Sequence, residues 1–114
     1  MTLSKLAKEI HDNAIAHGWW ETPPSFPEII ALCHSELSEA LEEYRNYGDV
    51  NDPDRVYCPE IKGCAPSGIP TELADCIIRI LDYCAYAEID IEDAIHRKHE
   101  YNKTRPYRHG GKRL

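Results

Sequence analysis

Apolar residues recur along this chain at helical rather than strand spacing. Leu3, Leu6, Ala7, Ile10 and Ala14 lie on one helical face, and Gly18 can close that helix. Trp19 to Pro24 reads as a loop. Ser25 with Glu28 three residues on forms a capping box and starts a second helix, which Gly48 ends. Its stripe is Ile29, Ile30, Cys33, Leu37, Ala40, Leu41 and Tyr44. Asp49 to Gly68 is a long polar connection carrying Pro and Gly, so it is either functional or an insertion. Pro70 and Thr71 are expected to open a third helix. Leu73, Ala74, Ile77, Ile78, Ile80, Leu81, Cys84 and Ala85 give that helix a face wide enough for two neighbours, one of them expected from a second subunit. Asp90 with Asp93 resembles the cap of a fourth helix running to about Asn102. No strand of any strength is visible. The expectation is an all-α, four-helix bundle completed by oligomerisation, a homodimer or homotetramer.

The length of 114 residues fits one domain, 1–114, with the connection at about 49–68 and a basic tail at about 104–114. Formal net charge is −7, which argues against a nucleic-acid-binding surface. Positive charge gathers at the end instead. From Arg97 onward stand Arg97, Lys98, Lys103, Arg105, Arg108, Lys112 and Arg113 against one acid, Glu100. An acidic body with a basic tail suits an anionic, metal-bound substrate. No segment approaches membrane-spanning length, and Met1 to Ile10 has no signal-peptide run. Five cysteines without a framework pattern read as reduced thiols, so a cytoplasmic protein is expected.

The chemistry is concentrated in two short acidic motifs, Glu36-Leu37-Ser38-Glu39 and Glu72-Leu73-Ala74-Asp75. Carboxylates three residues apart project from nearly one helix face, where they repel. On a wheel of 100° per residue, Glu36, Glu39 and Glu43 fall within about 60° of one another, at one margin of the apolar stripe. Two such pairs on facing helix edges call for a hard divalent cation. Such a cation would neutralise a phosphate substrate and lower the pKa of a bound water.

Glu36-x-x-Glu39 followed by Glu72-x-x-Asp75 resembles the MazG-like nucleotide pyrophosphohydrolases of the all-α NTP pyrophosphatase superfamily. The run Ile69-Pro70-Thr71-Glu72-Leu73-Ala74-Asp75 with Ile78-Arg79-Ile80-Leu81-Asp82 is similar to that family's third helix. Lys98 and Tyr101 to Lys112 are similar to the basic terminus of its small members. The resemblance spans about Phe26 to Lys112, apart from the connection. It implies hydrolysis of nucleoside triphosphates, (d)NTP, to monophosphate and pyrophosphate in nucleotide-pool house-cleaning. The cofactor would be Mg²⁺, with Mn²⁺ as a substitute. Glu36, Glu39, Glu72 and Asp75 would be the metal ligands, and Lys98, Asn102 and Arg105 would contact phosphates. The family often has a second acid just before its first motif. Here Ser35 stands there, which leaves Glu39 and Glu43, one turn beyond it, as candidates for the base.

Competing readings weigh on particular residues. Arg79 is expected to pair with the acidic cluster rather than meet substrate. Trp19 or Trp20 offers a face on which a base could stack, although packing is the commoner fate of Trp. His34 is expected to be packed or at a subunit interface. His11-Asp12, His96 with His99, and Cys58 with Cys64 are weak metal-site signals. A di-iron bundle needs Glu-x-x-His, which the chain lacks. The non-enzymatic rival is a dimeric regulatory or interaction module that kept the fold and lost the chemistry.

Overall fold

The computed structural model describes residues 1–48 and 68–107. Among these it is all-helical, with α1 Leu3–Ala16, α2 Phe26–Tyr47, α3 Ile69–Tyr86 and α4 Ile91–Lys103. Most of the 49–68 connection, with Cys58 and Cys64, lies outside the described residues. So does the tail beyond Tyr107, with Arg108 and Lys112.

Local chemistry accounts for most helix ends. The Thr2 hydroxyl accepts from the Lys5 N–H, the Ser25 hydroxyl from the Glu28 N–H, and the Asp90 carboxylate from the Asp93 N–H. Each satisfies a backbone donor that the first helical turn leaves without a partner. The Ser25 hydroxyl also donates to the Glu28 carboxylate at 3.0 Å, so the interaction runs both ways. Gly48 closes α2 at φ 73°, a left-handed conformation that costs glycine nothing, and its N–H bonds the Tyr44 carbonyl. Helix α3 opens within one residue of where Pro70 and Thr71 place it. Gly68, at φ 105°, is the N-cap and gives no side-chain cap, so Pro70 and Thr71 already lie inside the helix.

Helix α3 is the centre of the molecule. It packs on α2 along one side and on α1 along another, whereas α4 touches α1. Two neighbours of α3 come from the same chain, and they leave Leu73, Ile77 and Ile80 of its wide apolar face exposed. Ala7 and Ala14 are the buried residues of α1, and their small side chains let α1 approach α3 closely. Ile29, Cys33 and Cys76 form the core of the α2–α3 contact, with Tyr83 against it. Phe26 meets Tyr83, and Glu36 meets Arg79, so the start of α2 faces the end of α3 and the helices run antiparallel.

On helical wheels of α2 and α3, two margins flank this contact. One carries Glu36, Glu39, Glu72 and Asp75. The opposite margin carries Ile30, Leu37, Leu41 and Tyr44 from α2, with Leu73, Ile77 and Ile80 from α3. All seven are exposed in the single chain. His34 belongs to that margin and is exposed as well, so the chain's own core does not pack it.

Candidate functional site

Glu36 projects from the middle of α2 into the α2–α3 seam and is only 7 % exposed. Its Oε1 accepts a hydrogen bond from Arg79 Nε at 2.9 Å. Its Oε2 is buried and has no hydrogen-bond partner among the described residues. One helical turn along, Glu39 comes from the same helix, and Glu72 reaches in from α3. One carboxylate oxygen from each of Glu36, Glu39 and Glu72 lies within 4.8 Å of the others. Asp75 is outside this tight group, one turn further along α3. It lines a cavity of about 520 Å³ together with Glu36, Arg79, Asp82 and Trp19.

Bringing these carboxylates together raises their affinity for protons. Glu72 is pushed up to about 7 by burial, by the hydrogen bond and charge of Glu39, and by Asp75 and Glu36. Asp75 is also pushed up, by burial and by the Glu36 charge, against the opposing pull of Arg79. A proton on Glu72 turns one acceptor into a donor and relieves the repulsion, and a divalent cation would do so more completely. Oxygen-only donors in a partly buried pocket suit a hard ion such as Mg²⁺ or Mn²⁺. The buried oxygen of Glu36, without a partner among the described residues, fits such an ion.

The other residues singled out from the sequence fall in several places. Glu43 is half-buried one turn beyond Glu39. The Ser35 hydroxyl donates to the Leu32 carbonyl at 2.7 Å, so it folds back on its own helix. Trp19 is 65 % exposed and lines the acidic cavity. Trp20 is engaged within the protein. Its ring stacks on Tyr86 at 4.2 Å and 18°, and its Nε1–H donates to both Asp82 oxygens at 3.0 and 3.1 Å. Lys98 and Asn102 line a separate shallow cleft on α4 with Ile91, Ala94, Ile95 and His99. Lys98 Nζ lies 4.9 Å from the Tyr101 ring centroid. Within one chain, the α4 cations and the acids therefore face different clefts. Arg105 is half-buried just past the end of α4.

A second polar centre escapes sequence reading. His11 Nδ1 lies 2.7 Å from Asp82 Oδ1, and both side chains are more than four-fifths buried. With Trp20 and Tyr86 they tie α1 and its following loop to α3. The sequence singles out His11 and Trp20 separately, with nothing to join either to Asp82. Asp12, the neighbour of His11, takes no part, pairing instead with Lys8 on the surface.

Family models, curated proteins and solved structures give no match to this chain. Its own geometry must therefore carry the functional reading.

Proposed function

We propose that the chain is a metal-dependent nucleoside triphosphate pyrophosphohydrolase of the MazG-like kind. One observation carries this reading: a buried glutamate oxygen that has no hydrogen-bond donor among the described residues, placed among carboxylates from two antiparallel helices. A structural cluster of acids would be expected to satisfy that oxygen.

Glu36, Glu39 and Glu72 would hold the ion, with Asp75 bordering the substrate side. The bound metal supplies charge neutralisation and an acidified water. The protein's own share of the work is positional. Cys33 and Cys76 in the core keep α2 and α3 at fixed spacing below the acids. Arg79 fixes one oxygen of Glu36 and leaves the other for a ligand. Trp19 presents an open aromatic face at the cavity, a surface on which a base can stack. Glu39, the exposed member of the group, and Glu43 are the candidates for receiving the proton of the attacking water. The alternative, a binding module without chemistry, draws support from Ser35 and from the separation of Lys98 and Asn102 from the acids. Pyrophosphate release from a dNTP mixture, with and without Mg²⁺, separates the two. Release that requires Mg²⁺ supports the enzyme, and its absence under both conditions withdraws it.

Assembly belongs to the same proposal. Seven exposed apolar residues on one margin of α2–α3 form a patch of the kind monomers rarely leave open. A second copy packed there would make a four-helix bundle with the acids on its outer edges. Light scattering should give at least twice the mass of the chain, and a monomer at micromolar concentration would contradict it.

A further inference from the structure

A cleft lined by acids needs a cation where an anionic substrate enters. The described residues lining this cavity include Glu9, Glu36, Asp75 and Asp82, and the only lysine or arginine among them is Arg79. Its side chain is 38 % exposed, whereas that of its partner Glu36 is 9 % exposed. The bond to Glu36 uses Nε, one of five N–H donors in the guanidinium fork. The terminal nitrogens are the part of the side chain furthest from the backbone, and a planar fork can bond two oxyanions at once.

We infer that Arg79 is a phosphate-contacting residue of this site as well as the partner of Glu36. This rests on the metal-dependent triphosphate reading above. Arg79 would hold a ligand carboxylate through Nε and grip non-bridging phosphate oxygens through its terminal nitrogens. The phosphate would thereby be placed against the metal without any cation from α4. A purely structural ion pair would have no such effect on anion binding.

Calorimetry can separate the two roles. Mn²⁺ is titrated first, and inorganic tripolyphosphate is then titrated into protein saturated with Mn²⁺. Loss of one charge-assisted contact corresponds to a weakening of roughly 10- to 150-fold. Arg79→Gln should weaken tripolyphosphate binding to the Mn²⁺-saturated protein to that extent, over and above any change in Mn²⁺ affinity that follows from freeing Glu36. Arg79→Lys keeps the charge, loses the fork, and should fall between wild type and Arg79→Gln. It also provides the test if Arg79→Gln fails to fold. The inference is overturned if tripolyphosphate affinity at Mn²⁺ saturation is unchanged in the variants. It is also overturned if wild-type protein with Mn²⁺ bound ignores tripolyphosphate. Wild-type protein that binds no Mn²⁺ would refute the underlying reading itself.

Discussion

Two acidic centres on α3 stand nearly three turns apart and are built on opposite principles. Asp82 is closed. His11 and Trp20 bond it, and Tyr86 stacks over the Trp20 ring. The group at Glu36, Glu39 and Glu72 is open. Among the described residues it has one cation, one buried oxygen without a donor and neighbours that repel. A polar centre whose partners all come from the chain stabilises the fold. One assembled against its own electrostatics is stable only if something else completes it. Substitutions in the two centres should therefore fail in opposite ways.

The largest effect is expected at the open centre. Glu39→Ala should abolish pyrophosphate release, because a metal ligand or proton acceptor is lost. Its melting temperature should hold or rise, since a repelling charge is removed from an exposed position. Steady-state kinetics alongside a thermal melt tests both halves. Near-wild-type turnover would mean that the acidic group is not the catalytic centre.

At the closed centre the expectation reverses. Asp82→Ala removes the acceptor for His11 and Trp20 and leaves the Trp20 N–H half-buried without a partner. Each lost hydrogen bond to the carboxylate is worth about 1.5–3 kcal/mol. Denaturant unfolding should show that loss, while the affinity for Mn²⁺ stays close to wild type. A variant as stable as wild type but unable to bind Mn²⁺ would mean that Asp82 belongs to the site and that the contrast is false.

The two centres also differ in how far the sequence reveals them. Glu36, Glu39, Glu72 and Asp75 stand at helical spacing within short motifs, so their shared margin can be read from the wheel. Ser25 with Glu28 and Asp90 with Asp93 announce helix starts in the same local way. The Asp82 centre unites residues 62 and 71 positions apart, and no local pattern encodes that. Periodicity gives the width of α3's apolar face but not how its cover is divided. Part of the cover is α1, whose buried Ala7 and Ala14 look unremarkable in sequence, while Leu73, Ile77 and Ile80 stay exposed. Pro70 marks the first turn of α3 in the sequence, whereas its N-cap, Gly68, contributes only backbone conformation and leaves no such mark.

A smaller effect should come from metal alone. An ion that binds only the folded state stabilises it by about 2.7 kcal/mol at a hundredfold excess over Kd. Mg²⁺ or Mn²⁺ should raise the melting temperature of wild-type protein and of Asp82→Ala alike. Glu36→Gln should lose the response, because an amide oxygen is a weaker ligand than the carboxylate it replaces. A response that survives in Glu36→Gln would place the ion elsewhere.

The smallest and most specific effect concerns pH. Glu72 titrates at about 7 in the folded protein, above the ordinary carboxylate value of 4.5, so the folded state holds its proton more tightly than the unfolded chain does. Stability from that proton is fully present below the unfolded value. It is lost as pH rises from about 4.5 through about 7. Metal-free protein should therefore weaken across this window, and Glu72→Gln, which cannot ionise, should weaken less. Mg²⁺ acts in the opposite sense, since it binds the deprotonated group and stabilises most where the proton has left. The measurement is the melting temperature of wild type minus that of Glu72→Gln across the window, with and without Mg²⁺. A difference that falls with pH in the metal-free protein and flattens with Mg²⁺ would show proton and metal competing for one group. Parallel curves without metal would mean that Glu72 ionises as an ordinary surface acid, and the open centre would lose the repulsion that distinguishes it from Asp82.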